Sequence, residues 1–275
     1  MKTNSIHTFV VLAYKESKYL EECIKSVLNQ KYRSEVVIAT STPNKFIDKI
    51  AKKYNLEIIE NKEHRSIGGD FDFAISCGKT ELVTVAHQDD VYDYEYSYSM
   101  VEAYKKNKEA LIIFPHYYEI KNSGKVYKNT NLNIKKILLY PLKIRKFSKY
   151  KFNKRFSLCF GNPIGCPSVT VNRKKIDLPL FEYEFKCDID WHAWEKLSKK
   201  NGSFIYVSKQ LMGHRVHDES TTTELINDRT RTKEDLEMFK RFWPDFIAKF
   251  INKFYVKAEK NNQKHLYAIF LIYKC

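Results

Sequence analysis

The run Leu82-Val83-Thr84-Val85-Ala86-His87-Gln88-Asp89-Asp90 passes from a short apolar stretch directly into two adjacent carboxylates. In an open α/β sheet, ligands bind beyond the carboxyl ends of the strands. Acidic side chains delivered there are placed to hold a hard divalent cation, which keeps some water and shares its shell with substrate phosphates. Asp-Asp after a strand is also ordinary turn chemistry, so the run gains meaning from the rest of the chain. Further on, Asp188 and Asp190 stand two residues apart in Cys187-Asp188-Ile189-Asp190-Trp191-His192-Ala193-Trp194. A carboxylate there can serve as a general base or cap the helix that begins near Trp191. The run His214-Arg215-Val216-His217 adds groups for phosphate or metal, with the arginine suited to a bidentate phosphate contact.

These residues need a frame. His7–Ala13 reads as a buried strand, and Lys18–Gln30 has helical spacing at Leu20, Cys23, Ile24, Val27 and Leu28. Glu35–Thr40 is a second strand, and Phe46, Ile47, Ile50, Ala51 and Tyr54 form a helical stripe. Leu56–Ile59 is a third strand, Ile67–Cys77 a helix and Leu82–Ala86 a fourth strand. Alternation of this kind predicts an α/β fold with a mostly parallel sheet and helices on both faces. The second half is less regular, with strands at Leu111–Phe114, Ser168–Asn172 and Phe204–Val207 and a helix at Asp190–Lys200. A long amphipathic helix over Lys233–Tyr255 is interrupted at Trp243-Pro244.

The chain has 275 residues, 43% hydrophobic and 29% charged, which reads as globular. No apolar run approaches the ~20 residues that span a bilayer. The opening MKTNSIHTFVVLAYKES lacks a long apolar core and a small-residue cleavage site. Six scattered cysteines form no CxxC pair, which makes a reducing cytoplasm the default expectation. The net charge is +15, and it is uneven: residues 121–155 hold twelve Lys/Arg and no Asp or Glu. Aromatic and aliphatic residues are interleaved with them. Such a stretch suits an anionic membrane surface, single-stranded nucleic acid, or a solvated basic face.

The first 90 residues resemble the nucleotide-binding half of family-2 glycosyltransferases, which have the GT-A fold. VVLAYKESKYLEECIKSVLNQKY follows the family's strand, turn and helix, with Tyr14 in the tyrosine slot. IGGDFDFAISCGKTELVTVAHQDD is similar to the family's Gly-rich segment, helix and DxD strand end, with His87 at the first acidic position and Asp89 at the last. The Cys187–Trp194 run resembles the family's "ED-W-D-x-W", and His214–Ser220 its "HRxHxxS". The three elements occur in family order over residues 7–220. Where the family's second strand ends in Asp-Asp-Gly-Ser, this chain has Ala39-Thr40-Ser41-Thr42, so hydroxyls replace the carboxylate that reads the base.

The resemblance implies a GT-A domain over residues 1–220, divided into a sugar-nucleotide half (1–95) and an acceptor half (96–220), and a C-terminal helical extension over 221–275. It implies Mn²⁺ or Mg²⁺ held by Asp89, Asp90 and His217. It implies donor contacts from Tyr14, Glu16, Thr40, Ser41, Arg65, Gly68, Gly69, Asp70, His87, Gln88 and Arg215. Asp190, with Asp188 as the alternative, takes the place of the general base, and inversion at the anomeric carbon follows from single displacement. Trp191 and Trp194 are candidates for stacking on an acceptor sugar or for core packing. The expected partners are a nucleotide-diphosphate sugar, UDP favoured, and a saccharide or lipid-linked acceptor. The expected place is the cytoplasm, peripheral on the inner face of the cell membrane, with no nucleic acid bound. A basic nucleic-acid-binding protein and an inactive sugar-nucleotide-binding relative are the competing readings. The four carboxylates at strand and helix ends weigh against the first, since a nucleic-acid binder has little use for them.

Overall fold

The computed structural model describes residues 5–63, 66–181, 183–216 and 230–260. Nine strands form one mixed sheet. They are β1 (His7–Ala13), β2 (Glu35–Thr40), β3 (Ile58–Glu60), β4 (Leu82–His87), β5 (Val91–Tyr92), β6 (Ala110–Lys121), β7 (Gly124–Val126), β8 (Thr170–Asn172) and β9 (Ser203–Arg215). Their order is β3-β2-β1-β4-β8-β6-β9-β5, with β7 paired to β6. The pairings β3-β2, β2-β1, β1-β4 and β6-β9 are parallel, and β8 runs antiparallel between β4 and β6.

The first half follows the expected alternation. Helix α1 (Leu20–Leu28) buries Leu20, Cys23, Ile24 and Val27. Helix α2 (Lys45–Tyr54) starts where the Asn44 side chain accepts from the Ile47 N–H, which satisfies a free amide of the first turn. Helix α3 (Ile67–Cys77) starts in the same way at Ser66. It packs on the sheet so closely that a Cβ at Gly78 would lie 2.3 Å from Val83 Cγ2, so glycine is required there. Helix α4 (Tyr96–Lys105) covers the same face as α1 and α2, where its residues share their core cluster.

The second half departs further from the sequence reading. The stretches expected as short strands at Leu111–Phe114 and Phe204–Val207 belong to β6 and β9, of 12 and 13 residues. Ten successive residues of β6, Ala110 to Glu119, are buried, so no alternation of apolar and polar residues marks the strand. Pro115 interrupts it further, and the ladder to β9 shifts register there, as expected of a residue with no N–H to donate. Strands β5 and β7 are too short to show in the sequence. The connection from β7 to β8 carries α5 (Thr130–Leu138), short 3₁₀ turns at Tyr140–Leu142 and Arg145–Phe147, and α6 (Lys151–Phe156).

Helix α7 (Ile189–Ser198) buries Trp191 and Trp194, each 1% exposed, with indole N–H groups donating to Leu158 O and Ile164 O. Both tryptophans are therefore core residues, and neither is free to stack on an acceptor. The expected long C-terminal helix is two helices, α8 (Thr230–Lys240) and α9 (Asp245–Lys260), broken at the expected Trp243-Pro244. Met238, Phe239, Ala248 and Ile251 join the core cluster that holds Trp191. The described part of the extension is thus packed into the main body of the chain.

Candidate active site

Strand β4 ends at His87, and the turn after it carries Asp89 and Asp90. One ligand atom from each of these three side chains lies within 4.8 Å of the others. The His87 imidazole is stacked on Phe71 of α3, with ring centroids 5.1 Å apart. Burial pulls its pKa below the ordinary value, which keeps the ring neutral, the form that binds a metal. Its Nε2 is buried and has no hydrogen-bond partner.

Asp90 is 1% exposed. Its Oδ1 accepts from the Arg215 backbone N–H at 2.8 Å and faces His214 Nδ1 at 3.2 Å. Its Oδ2 is buried without a partner. Burying an unpaired charged oxygen is costly, and a cation removes that cost. Two orphaned buried ligand atoms beside Asp89 therefore fit a divalent ion such as Mn²⁺, which accepts both carboxylate and imidazole. Burial by itself would lower the His214 pKa, but the charge and hydrogen bond of Asp90, with Asp89 beyond, raise it above its ordinary value.

Arg215 ends β9 and braces this turn. Its Nε donates to Asp89 O at 2.8 Å, its second guanidinium N–H to Glu22 at 2.6 Å, and its guanidinium lies 4.3 Å over the Tyr19 ring. Arg215 is expected from the sequence at the donor phosphates; here its Nε and one terminal nitrogen contact Asp89 O and Glu22. Gln88 also ties the turn inward: its amide bonds the Tyr14 N–H and C=O at 3.0 and 2.9 Å.

The ends of β1 and β2 and the start of α3 form the neighbouring edge of the cleft. Tyr14 is about half exposed, and Glu16 stands in the same exposed turn. Thr40 is fully buried, and its hydroxyl accepts from the Thr42 N–H. Ser41 Oγ donates to Asp70 Oδ2, and Asn61 Nδ2 to Asp70 Oδ1, each at 2.7 Å. Gly68 and Gly69 lie buried in the first turn of α3. Arg65 and His217, with the rest of the element after His217, lie outside the described residues.

The two candidate bases face different ways. Asp188 turns into α8. The N–H groups of Lys186, Cys187 and Asp188 all donate to Glu234, and burial with the adjacent Asp235 carboxyl pushes the Asp188 pKa far up. Asp190 lies on the cleft side, close enough for its charge to act on both His87 and Cys166. Burial raises its pKa, opposed by Lys135, the Trp191 N–H at 2.8 Å and Asn162.

Sequence reasoning missed Lys135 and Tyr117. Lys135 Nζ donates to Tyr117 Oη at 2.6 Å, and the Tyr117 ring meets His214 edge-on at 5.7 Å. The chain Asp90–His214–Tyr117–Lys135 thus leads from the acidic turn toward Asp190.

Residues 8–181 match the profile of Glycosyl transferase family 2. No curated protein sequence matches the chain significantly. Among solved structures, S. aureus TarS residues 1–349 superimpose with a TM-score of 0.62 at 13% identity, covering 90% of this chain and 69% of that one. The same TarS fragment in complex with UDP-GlcNAc gives 0.58 at 14% identity, covering 90% and 70%. The mannosyltransferase PcManGT from Pyrobaculum calidifontis in complex with GDP-Man and Mn²⁺ gives 0.63 at 14% identity, covering 99% and 80%. At these identities the structural likeness is one of fold, and the fold is GT-A. The profile match spans well over half of the chain, and on that ground the chain belongs to glycosyl transferase family 2.

Proposed function

We propose that this glycosyltransferase moves a sugar from a nucleotide diphosphate, UDP favoured, onto a saccharide or lipid-linked acceptor, with inversion at the anomeric carbon. The observation that carries the reading is the different engagement of Asp188, the N-cap of α7, and Asp190 in its first turn. Asp190 faces the cleft of His87, Asp89 and Asp90, while Asp188 is engaged with α8.

Asp89, Asp90 and His87 would hold a divalent ion, with His217 an additional candidate from the sequence. Such an ion supplies Lewis-acid neutralisation of the leaving diphosphate. Asp190 takes the proton of the acceptor hydroxyl as it attacks. Lys135 opposes the burial that raises the Asp190 pKa. Ser41, Asp70 and the exposed Tyr14 are the donor-side contacts the cleft offers. The Ser41–Asp70–Asn61 hydrogen bonds hold a carboxylate beside the position where the family's own Asp is replaced, and this supports base recognition through Ser41. Arg215 holds the shape of the acidic turn.

A thermal-shift panel of UDP-, GDP- and dTDP-sugars, with and without Mn²⁺, tests the donor reading. Stabilisation by a UDP-sugar that needs Mn²⁺ is expected. No stabilisation by any of the three would favour a relative that has lost donor binding. Product configuration by NMR then decides inversion against retention.

A further inference from the structure

The segment between β7 and β8 is basic in sequence and well anchored in the fold. Leu132, Leu138, Leu139 and Leu142 are buried beneath it, and the buried Lys154 ammonium donates to Lys200 O and Gly202 O. What it presents outward is both apolar and cationic. Ile137, Tyr140, Ile144, Phe147, Tyr150 and Phe152 are 42–73% exposed. Between them stand the exposed Lys136, Lys143, Arg145, Lys146, Lys149 and Lys151, none paired with a carboxylate among the described residues. Lys143 and Lys149 lie over the Tyr140 and Tyr150 rings at 6.0 and 5.4 Å. Large apolar side chains held out to water in such number mark an interaction surface.

Two features extend it. Lys143 and Arg145 also line an open groove of about 450 Å³ beside β9, together with Lys106, Glu102 and Lys209, the last paired with Glu95. The Tyr206 side chain lines this groove, is 7% exposed, and has a hydroxyl without a hydrogen-bond partner. On the other side, ring contacts run from Phe152 through Phe156 and Phe160 to Trp243. Immediately beyond Trp243, α9 exposes Phe246, Phe250 and Phe254 at four-residue spacing.

We propose that the face built by residues 136–152, with the Lys143–Arg145 groove at one end and the α9 phenylalanines at the other, docks the enzyme on an anionic lipid bilayer. Unneutralised cations are drawn to anionic headgroups, and the exposed rings and isoleucines enter the boundary below them. The Lys143–Arg145 side of the groove offers cations to a headgroup phosphate. Ile137 and Ile144 argue against single-stranded nucleic acid, which is gripped through phosphates and ring stacking. The placement has a consequence that rests on the transferase reading. Helix α5 carries Lys135 inward toward Asp190 and, one residue on, Lys136 and Ile137 outward. A bilayer against this face therefore lies beside the acceptor side of the cleft, where a lipid-linked acceptor is presented.

Co-sedimentation of the full chain with vesicles tests the docking. Sugar nucleotide is left out, so the outcome does not depend on the transferase reading. Binding is expected to phosphatidylcholine–phosphatidylglycerol vesicles and not to phosphatidylcholine alone. Lys143→Glu with Arg145→Glu is expected to weaken it at least ~10-fold. Tyr140→Ser with Phe152→Ser is expected to leave weaker binding that added salt abolishes. All four positions are exposed, and unchanged circular dichroism and melting identify variants that remain folded. Equal binding to both vesicles, binding to neither, or salt-sensitive binding to single-stranded RNA without lipid binding would overturn the proposal.

Discussion

The Asp90 carboxylate accepts a hydrogen bond from the Arg215 backbone N–H at 2.8 Å, joining residues 125 apart in sequence. The bond locks the end of β4 to the end of β9. The Arg215 side chain then returns to Asp89 O, so one residue fixes both acidic positions. Arg215→Ala is expected to weaken Mn²⁺-dependent UDP binding about tenfold, the size of one lost charge-assisted hydrogen bond. Arg215→Lys should not restore it, because a lysine cannot reproduce the fork. Calorimetry with UDP and Mn²⁺ is the measurement, and native affinity in either variant would remove Arg215 from the brace.

Asp89 and Asp90 should separate on two readouts. Asp89→Asn is expected to abolish metal-dependent donor binding with little change in melting temperature. Asp90→Ala should lose that binding and also roughly 1–3 kcal/mol of stability, since it strands the Arg215 N–H. Equal melting losses in the two variants would show that Asp90 has no special bracing role.

Asp190→Asn is expected to lower turnover by at least ~10² with little effect on donor affinity, the signature of a lost general base. Asp188→Asn should instead alter stability, because Asp188 shares its buried site with Asp235. If the kinetic loss falls on Asp188, the two roles are exchanged.

The contrast between these two residues shows where sequence reading stopped. Asp188 is the N-cap of α7 and Asp190 lies in its first turn, so the two side chains leave the backbone from different settings. The motif therefore offers two carboxylates for one role, and the choice depends on what packs behind them. Here that is α8, some 45 residues further on, which no local pattern announces. The first half of the fold was legible because strands and amphipathic helices alternate regularly up to β4. Of the two long strands, only the segments Leu111–Phe114 of β6 and Phe204–Val207 of β9 were legible: burial on both faces and Pro115 erase alternation in β6, and β9 loses its burial midway, over Val207–Gln210. Lys135 was hidden among twelve similar charges. What singles it out is Tyr117, which sits in the unrecognised part of β6.

Lys135→Met provides a test of that residue. Burial raises the Asp190 pKa, and Lys135 is the strongest opposing influence. Without the ammonium the carboxyl should titrate higher still. A base must be ionised to act, so the acidic limb of kcat/KM should move to higher pH, while activity well above the limb changes less. A pH–rate profile checks this. A uniform loss with no shift of the limb would mean that Lys135 contributes packing alone.

His7 offers a prediction about stability away from the site. It is fully buried, with Nδ1 2.7 Å from Ser34 Oγ and Nε2 2.9 Å from Thr84 Oγ1. Burial lowers its pKa to about 3. The unfolded chain takes up a proton near pH 6.5 while the folded chain does not. The unfolded state therefore binds more protons between those values, and stability falls as pH drops below about 6.5. The slope for one group is about 1.4 kcal/mol per pH unit. His7→Gln keeps hydrogen-bonding capacity at this position and does not titrate. At pH 7 the variant should be the less stable protein. As pH falls from about 6 to 4.5 the gap should close at close to that slope, as measured by urea denaturation of both proteins. A gap that stays constant over this range would show that His7 is not held neutral in the folded chain.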